Sequence, residues 1–298
     1  MKDVSIVIPS YKRHDEVVRA VKSALAQTYS PLEVIVSNDG QDPAKAHLLS
    51  ALNDNRVRYV EAPRRGIASA TRNFGLKHAQ GSWIALLDDD DIWLPRKLEA
   101  QFAALESSGL NEAILAGVEV VYSESQSSHV RPSCAVPVDL PVCEVLFCGY
   151  GGVHTSTLVA PRWAFDKYVF NEALERHEDW SWLLLAGLEL GLVVSPERVC
   201  ERHLSPGERL SRAGGYAYSR QWYDQHKDLM TPQACAAFVA SILSRKAAHG
   251  RSWRTLTWLV GEVRRQHGLN FTNLARLMRP WLVPERMRKV LKAKVVRE

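Results

Sequence analysis

No stretch of this 298-residue chain approaches the ~18–20 consecutive apolar residues that a membrane-spanning helix requires. The apolar run Leu183 to Leu188 is cut at Glu189 and reads as a core helix. Cysteine is scarce and unpatterned: Cys134, Cys143, Cys148, Cys200 and Cys235 make an odd set with no Cys-x-x-Cys pair. With no secretory leader ahead of the first strand, this argues for reduced, structural thiols and a cytoplasmic chain. Internal repeats and low-complexity segments are also missing. Net charge is modest at +5, but it is unevenly spread. From Arg245 to Glu298 fourteen Lys/Arg face only Glu262, Glu285 and Glu298, which leaves an acidic body with a basic tail. Such a tail suits an anionic surface.

What is present is an alternation of strands and helices. Ser5–Pro9 is a short apolar run of the kind buried in parallel sheets, and Glu33–Ser37, Val57–Val60 and Ser82–Leu87 read as three further strands. Between them, Val17, Val18, Val21, Ala24 and Leu25 fall at helical spacing, and Asp42-Pro43 supplies a cap and first residue for a helix through Leu52. Ile67–Ala79 reads as a third helix. This pattern predicts a mostly parallel α/β sheet covered by helices on both faces, with ligands beyond the carboxyl ends of its strands. Further on, the pattern predicts a helix from Pro95 to about Ser107 and a strand over Ala113–Tyr122. A Ser/Pro-rich loop over Ser123–Pro141, a strand over Thr155–Ala160 and a helix over Glu178–Leu190 follow. Beyond about Gly207 only helices are expected, punctuated by Pro232, Pro280 and Pro284.

Three strand ends carry chemistry. The first runs into Pro9-Ser10-Tyr11-Lys12-Arg13, an aromatic face with a cation. The second ends in Asn38-Asp39-Gly40. The fourth ends in Asp88-Asp89-Asp90-Asp91, four adjacent carboxylates that repel one another and that folding alone does not call for. A hard divalent cation, Mg²⁺ or Mn²⁺, resolves that conflict by taking carboxylate and phosphate oxygens. The alternative is a solvated acidic loop ahead of the Pro95 helix.

These segments, with Gly66, Ala70-Thr71-Arg72-Asn73-Phe74-Gly75 and Pro95, occur in the order and at spacings similar to those of family 2 glycosyltransferases of the GT-A fold. The resemblance covers roughly residues 3–205, departing at Asn38, where many members carry another aspartate. It implies a GT-A catalytic domain over 1–206, with a nucleotide-sugar half over about 1–95 and an acceptor half over about 96–206. A basic helical region over 207–298 follows. It further implies that Asp39 accepts the N3–H of uracil or thymine, while Pro9, Tyr11 and Arg13 shape the pocket for base and ribose. Arg72, Asp88 and Asp89 then join the nucleotide-sugar site. Asp88 and Asp90 resemble the DxD pair, with Asp90 the direct metal ligand, although Asp89 or Asp91 could share the task. His177-Glu178-Asp179-Trp180 resembles the ED motif, which makes Asp179 the general base and Glu178 its reserve. His154, Thr155 and Ser156 are expected on the acceptor side. Arg202-His203, with Ser205 and Ser211, is expected over the diphosphate, His203 contacting metal or phosphate and Ser205-Pro206-Gly207 acting as a hinge.

The function so implied is metal-dependent, inverting transfer from a UDP- or dTDP-sugar, dTDP-L-rhamnose being one candidate. The acceptor is a saccharide or glycolipid in lipopolysaccharide core or surface-polysaccharide assembly. A sugar-nucleotide nucleotidyltransferase is the first alternative, but it calls for a Gly-rich basic loop that Pro9-Ser10-Tyr11 does not provide. A silent glycan- or membrane-binding relative is the second. In the tail, Trp253, Trp258 and Trp281 accompany Arg251, Arg254, Arg264, Arg265, Arg276, Arg279, Arg286, Arg288 and Lys289. That mixture suits a peripheral seat on an anionic membrane, the inner face of a bacterial inner membrane, or simply a solvated basic face. No nucleic-acid recognition motif is present.

Overall fold

A computed structural model describes residues 2–122, 128–203 and 215–282. The order of elements is β1 (Val4–Ser10), α1 (His14–Leu25), β2 (Glu33–Asp39), α2 (Pro43–Ser50), β3 (Val57–Ala62), α3 (Ala68–Lys77), β4 (Trp83–Leu86) and β5 (Asp91–Trp93). There follow α4 (Lys97–Ser108), β6 (Ile114–Tyr122), β7 (Ser128–Arg131), α5 (Val142–Phe147), β8 (Val159–Pro161), α6 (Arg162–Lys167), α7 (Glu178–Ala186) and β9 (Leu192–His203). The chain closes with α8 (Tyr216–His226), α9 (Pro232–Phe238), α10 (Ser244–Ala247), α11 (Trp253–Arg265) and α12 (Phe271–Leu282). Two compact units result, Met1–Val142 with Tyr150–Gly207, and Cys143–Gly149 with Glu208–Glu298.

In the first unit the described strands form one sheet, ordered β3-β2-β1-β4-β8-β6-β9-β5, with β7 on the outer side of β6. The pairs β1–β2, β2–β3, β1–β4 and β6–β9 are parallel, and the shorter pairings of β5, β7 and β8 are antiparallel. Every residue of β1 and β2 is buried, as expected of parallel strands covered on both faces. Asp42 caps α2 by accepting from the Lys45 N–H at 3.0 Å, with Pro43 beginning the helix. The helix α3 lies hard against the sheet because residue 75 has no side chain. A Cβ there would stand 2.7 Å from Val7 and 3.0 Å from Ser37. The core gathers Ile6, Ile8, Val34, Val36, Trp83, Leu98 and Phe102 between sheet and helices.

The sequence reading departs from the structure at several elements. The expected loop over Ser123–Pro141 contains β7, which pairs with β6 from Ser128 to Arg131. Thr155–Thr157 is a 3₁₀ turn, so the strand expected there shrinks to Val159–Pro161. The strand β9 has no continuous apolar pattern to mark it in the sequence. Its twelve residues include Pro196-Glu197-Arg198, an exposed polar stretch beside a shift in register at Gly117/Val118 of β6. A Cβ on Gly117 would meet Val199 at 2.7 Å, so the pair can approach only with glycine at that point.

In the second unit, α9, a wider π-type turn over Val239–Leu243 and α10 run on as one helix, buried along most of its length. Phe238 packs against Phe147 of α5, with ring centroids 5.0 Å apart. The Tyr223 hydroxyl donates to Glu262 at 2.8 Å, and Ser244 donates to the Leu277 carbonyl at 2.6 Å. Pro280, expected to punctuate, lies inside α12, and Pro284 lies outside the described residues.

Candidate active site

Strand β4 delivers the four aspartates, and a tight turn sorts them. The Asp91 N–H donates to the Asp88 carbonyl at 3.2 Å, so the first and fourth residues come together while the middle two form the tip. Asp88 and Asp91 meet His154, and one ligand atom from each lies within 4.8 Å of the others. The His154 Nδ1 stands 3.5 Å from Asp91 Oδ2 and 3.6 Å from Glu119 Oε2. Burial, then Arg202, holds this imidazole neutral with its pKa down at about 3. Burial and the Asp88 charge push Asp91 well above the usual carboxylate range. The Ser156 hydroxyl donates to Asp91 Oδ2 at 2.5 Å and accepts from the Asp88 N–H at 3.0 Å. Even so, Asp91 Oδ1, Glu119 Oε2, His154 Nδ1 and Arg202 Nε are buried without a hydrogen-bond partner. Glu119 Oε2 and Arg202 Nε face each other as an ion pair at 3.3 Å, which leaves Asp91 Oδ1 the carboxylate oxygen here with no counterpart.

Arg72, on α3, ties this corner to α7. It is buried, its Nη2 3.2 Å from Asp88 Oδ1 and its Nη1 3.8 Å from Glu178 Oε1, and its guanidinium lies over the Phe170 ring at 4.9 Å. Nε and Nη1 are buried and have no hydrogen-bond acceptor. Next to Glu178, Asp179 accepts from the Trp180 N–H at 2.8 Å. Burial and the Glu178 charge raise its carboxyl to about 7, against the pull of that N–H and of Arg72. His177 precedes the helix with φ 65°, its ring stacked on Trp180 at 4.3 Å.

At the other end of the same sheet edge, Asp39 closes β2. Its two oxygens accept from the Arg65 and Gly66 N–H groups at 2.8 and 2.9 Å, pinning the turn after β3. Tyr11 is half exposed, and its hydroxyl accepts from Arg64 at 2.6 Å. Arg13 reaches Asp89 at 2.7 Å and Asp90 at 2.8 Å. Asp89 is raised to about 6 because burial outweighs Arg13. Pro9 is buried within β1, opposite Ser37 of β2. The fully buried Lys45 donates to Asn38 Oδ1 at 2.6 Å and to Ser10 at 2.8 Å. Asn38 therefore serves as a neutral acceptor for that amine, while its own amide donates to Gly40.

Residues 5–134 match the model of Glycosyl transferase family 2. That stretch is similar to family 2 glycosyltransferase domains. An uncharacterized glycosyltransferase of Rickettsia conorii is 32% identical over 181 residues, covering 59% of this chain and 30% of the relative. The chain thus spans about a third of that protein's length. WcaA of Escherichia coli, named as a glycosyl transferase of colanic acid biosynthesis, is 27% identical over 267 residues, covering 86% of this chain and 92% of WcaA. Among solved structures, TarS of S. aureus, residues 1–349 with UDP-GlcNAc, superposes with a TM-score of 0.67 at 15% identity. The match covers 94% of this chain and 89% of that one. The fold is therefore the GT-A fold, a mixed α/β sheet with helices.

The expected site residues fall into two groups. Asp88, Arg72, Glu178 and Asp179 come together as one constellation, with His154 joining from the expected acceptor side. Asp90 and His203 do not enter the carboxylate–imidazole group. The turn throws Asp90 outward onto Arg13, and His203, half exposed at the end of β9, stacks on Tyr122 at 4.8 Å and faces Glu201. Ser156, expected to touch acceptor, is fully buried and its hydroxyl is committed to Asp91 and Asp88. Thr155 is buried beside it. Ser205, Pro206, Gly207 and Ser211, with Arg286, Arg288 and Lys289 of the tail, lie outside the described residues. Glu119 escaped the sequence reading because it is a single carboxylate in an otherwise apolar strand. Its polarity within Ala113–Tyr122 was the one available signal.

Proposed function

We propose that this chain transfers a sugar from a nucleoside-diphosphate donor to a hydroxyl of a saccharide or glycolipid acceptor, inverting the anomeric centre, in the assembly of a bacterial surface polysaccharide. The observation that carries this reading is Arg72, a buried guanidinium with spare N–H groups set between Asp88 on the donor side and Glu178 beside Asp179. The name of WcaA supports the surface-polysaccharide setting, and the TarS complex with UDP-GlcNAc supports a uridine donor. Asp39 keeps a second lone pair on each oxygen after serving Arg65 and Gly66, and can accept the N3–H of uracil or thymine. UDP-sugars and dTDP-sugars, dTDP-L-rhamnose among them, therefore form the donor panel.

Asp88, Asp91 and His154 are the residues suited to hold a divalent cation. Carboxylate oxygens and a neutral imidazole match Mn²⁺ or Mg²⁺, and the unpartnered Asp91 Oδ1 is the structural feature that fits. When bound, such a cation neutralises charge that develops on the departing diphosphate. Arg72 donates its free N–H groups to the same diphosphate. Asp179 takes the proton of the acceptor hydroxyl as that oxygen bonds to the anomeric carbon. The bond from that carbon to the phosphate oxygen breaks, and its electron pair leaves with the diphosphate.

The test is release of nucleoside diphosphate from a panel of UDP- and dTDP-sugars, with Mn²⁺ and with EDTA. Release from at least one donor, abolished by EDTA, is expected. If no donor is consumed and none binds by calorimetry, the reading fails.

A further inference from the structure

The helix α12 is docked on one side and bare on the other. Asn273 and Leu277 face inward, and Ser244 binds the Leu277 carbonyl. On the opposite side, Phe271, Leu274, Ala275, Met278 and Leu282 recur at the spacing that keeps residues on one helical face. Phe271 is 88% exposed and Leu282 72%, with Leu274 and Ala275 also exposed. A monomer gains nothing from leaving such a stripe in water.

Charge along this stretch of the chain is almost all of one sign. Between Arg251 and Leu282 there are six arginines and a single acid, Glu262. That acid is buried and already engaged by Tyr223 and Arg265. Trp253, 78% exposed, stands between Arg251 and Arg254, both exposed as well. Bare aromatic and aliphatic side chains in an arginine-rich stretch match an amphipathic helix lying in a lipid headgroup layer. There the apolar stripe enters the acyl boundary and the guanidinium groups meet phosphates. A second copy of this chain is the poorer occupant. Pairing this face with itself would bring arginines together with no free carboxylate between Arg251 and Leu282 to meet them.

We propose that the exposed face of α12, with Trp253, is a docking surface for an anionic phospholipid leaflet. No helix among the described residues is long and apolar enough to cross a membrane, so the contact is interfacial. This inference does not rest on the transferase reading.

The full chain is floated with vesicles of equal parts phosphatidylglycerol and phosphatidylethanolamine, and separately with phosphatidylcholine vesicles. Flotation with the anionic vesicles at low salt is expected, with about a tenfold loss on phosphatidylcholine or at high salt. The double variant Phe271→Ser/Leu274→Ser alters exposed side chains only. It should retain the wild-type melting curve and partition about tenfold more weakly. Arg251→Glu/Arg254→Glu should weaken flotation about as much. A wild-type chain that ignores anionic vesicles overturns the proposal, and so does a Phe271→Ser/Leu274→Ser variant that floats like wild type. Light scattering that finds a dimer dissolved by the same double substitution assigns the face to self-association instead. Nucleotide-sugar binding, followed in parallel, separates loss of docking from failure of the catalytic reading.

Discussion

Asp179 stands in the first turn of α7 under opposing influences. Burial and Glu178 raise its carboxyl, the Trp180 N–H and Arg72 lower it, and the balance rests at about 7. A base must be deprotonated to act, so the transfer rate should climb about tenfold per pH unit below 7 and level off above it. In Asp179→Asn that limb should vanish and kcat fall by roughly 10³, with donor affinity kept. The same shift acts on stability. A carboxyl raised on folding favours the native state below its ordinary value of 3.8, and that contribution is lost as pH rises through 7. Asp179→Asn should therefore melt higher than wild type at pH 8, by roughly 1–2 kcal/mol in thermal denaturation. At pH 3 the difference should disappear. Among the aspartates the turn makes a sharp distinction. Asp91→Asn should weaken Mn²⁺ binding at least about tenfold by electron paramagnetic resonance, while Asp90→Asn leaves it nearly unchanged. Equal effects of the two would refute the assignment of Asp91.

Among the elements, β1, β2 and β4 were legible as short, mostly apolar runs and β3 as Val57, Tyr59 and Val60 around Arg58, and the burial of β1 and β2 is complete. By contrast β9 was hidden. Pro196-Glu197-Arg198 interrupts its apolar pattern, and only the partner strand β6 makes a ladder of it. The three-residue β5 begins within the aspartate run itself, so its pairing with β9 could not be read from local composition. The constellation was half visible for a related reason. Asp88, Glu178 and Asp179 sit in ordered motifs, whereas the meeting of Asp91, His154 and Glu119 depends on a turn and on long-range strand pairing. The seating of α3 can be tested by substitution. Gly75→Ala puts a methyl group 2.7 Å from Val7, lifts Arg72 away from the site, and should cost about 1–3 kcal/mol in denaturant unfolding.

At the scale of the whole molecule, charge is partitioned along the chain, acidic ahead of residue 245 and basic after it. The acidic part includes the clustered Asp88, Asp91 and Glu178, and the basic part includes the arginines between Arg251 and Arg279. The sequence alone exposed that partition. It could not say which basic side chains frame an apolar stripe, since that depends on which face of α12 the second unit covers. The path of Arg72 has a practical consequence for recombining relatives. It is encoded in the N-terminal third of the chain yet forms an ion pair at 3.8 Å with Glu178, a residue more than a hundred positions later. A chimera joined near residue 95 with a relative lacking an acid at the Glu178 position should fold but turn over slowly. Restoring that one carboxylate in the donated segment should recover the rate, so a crossover in this scaffold must exchange the ion-paired residues as a set.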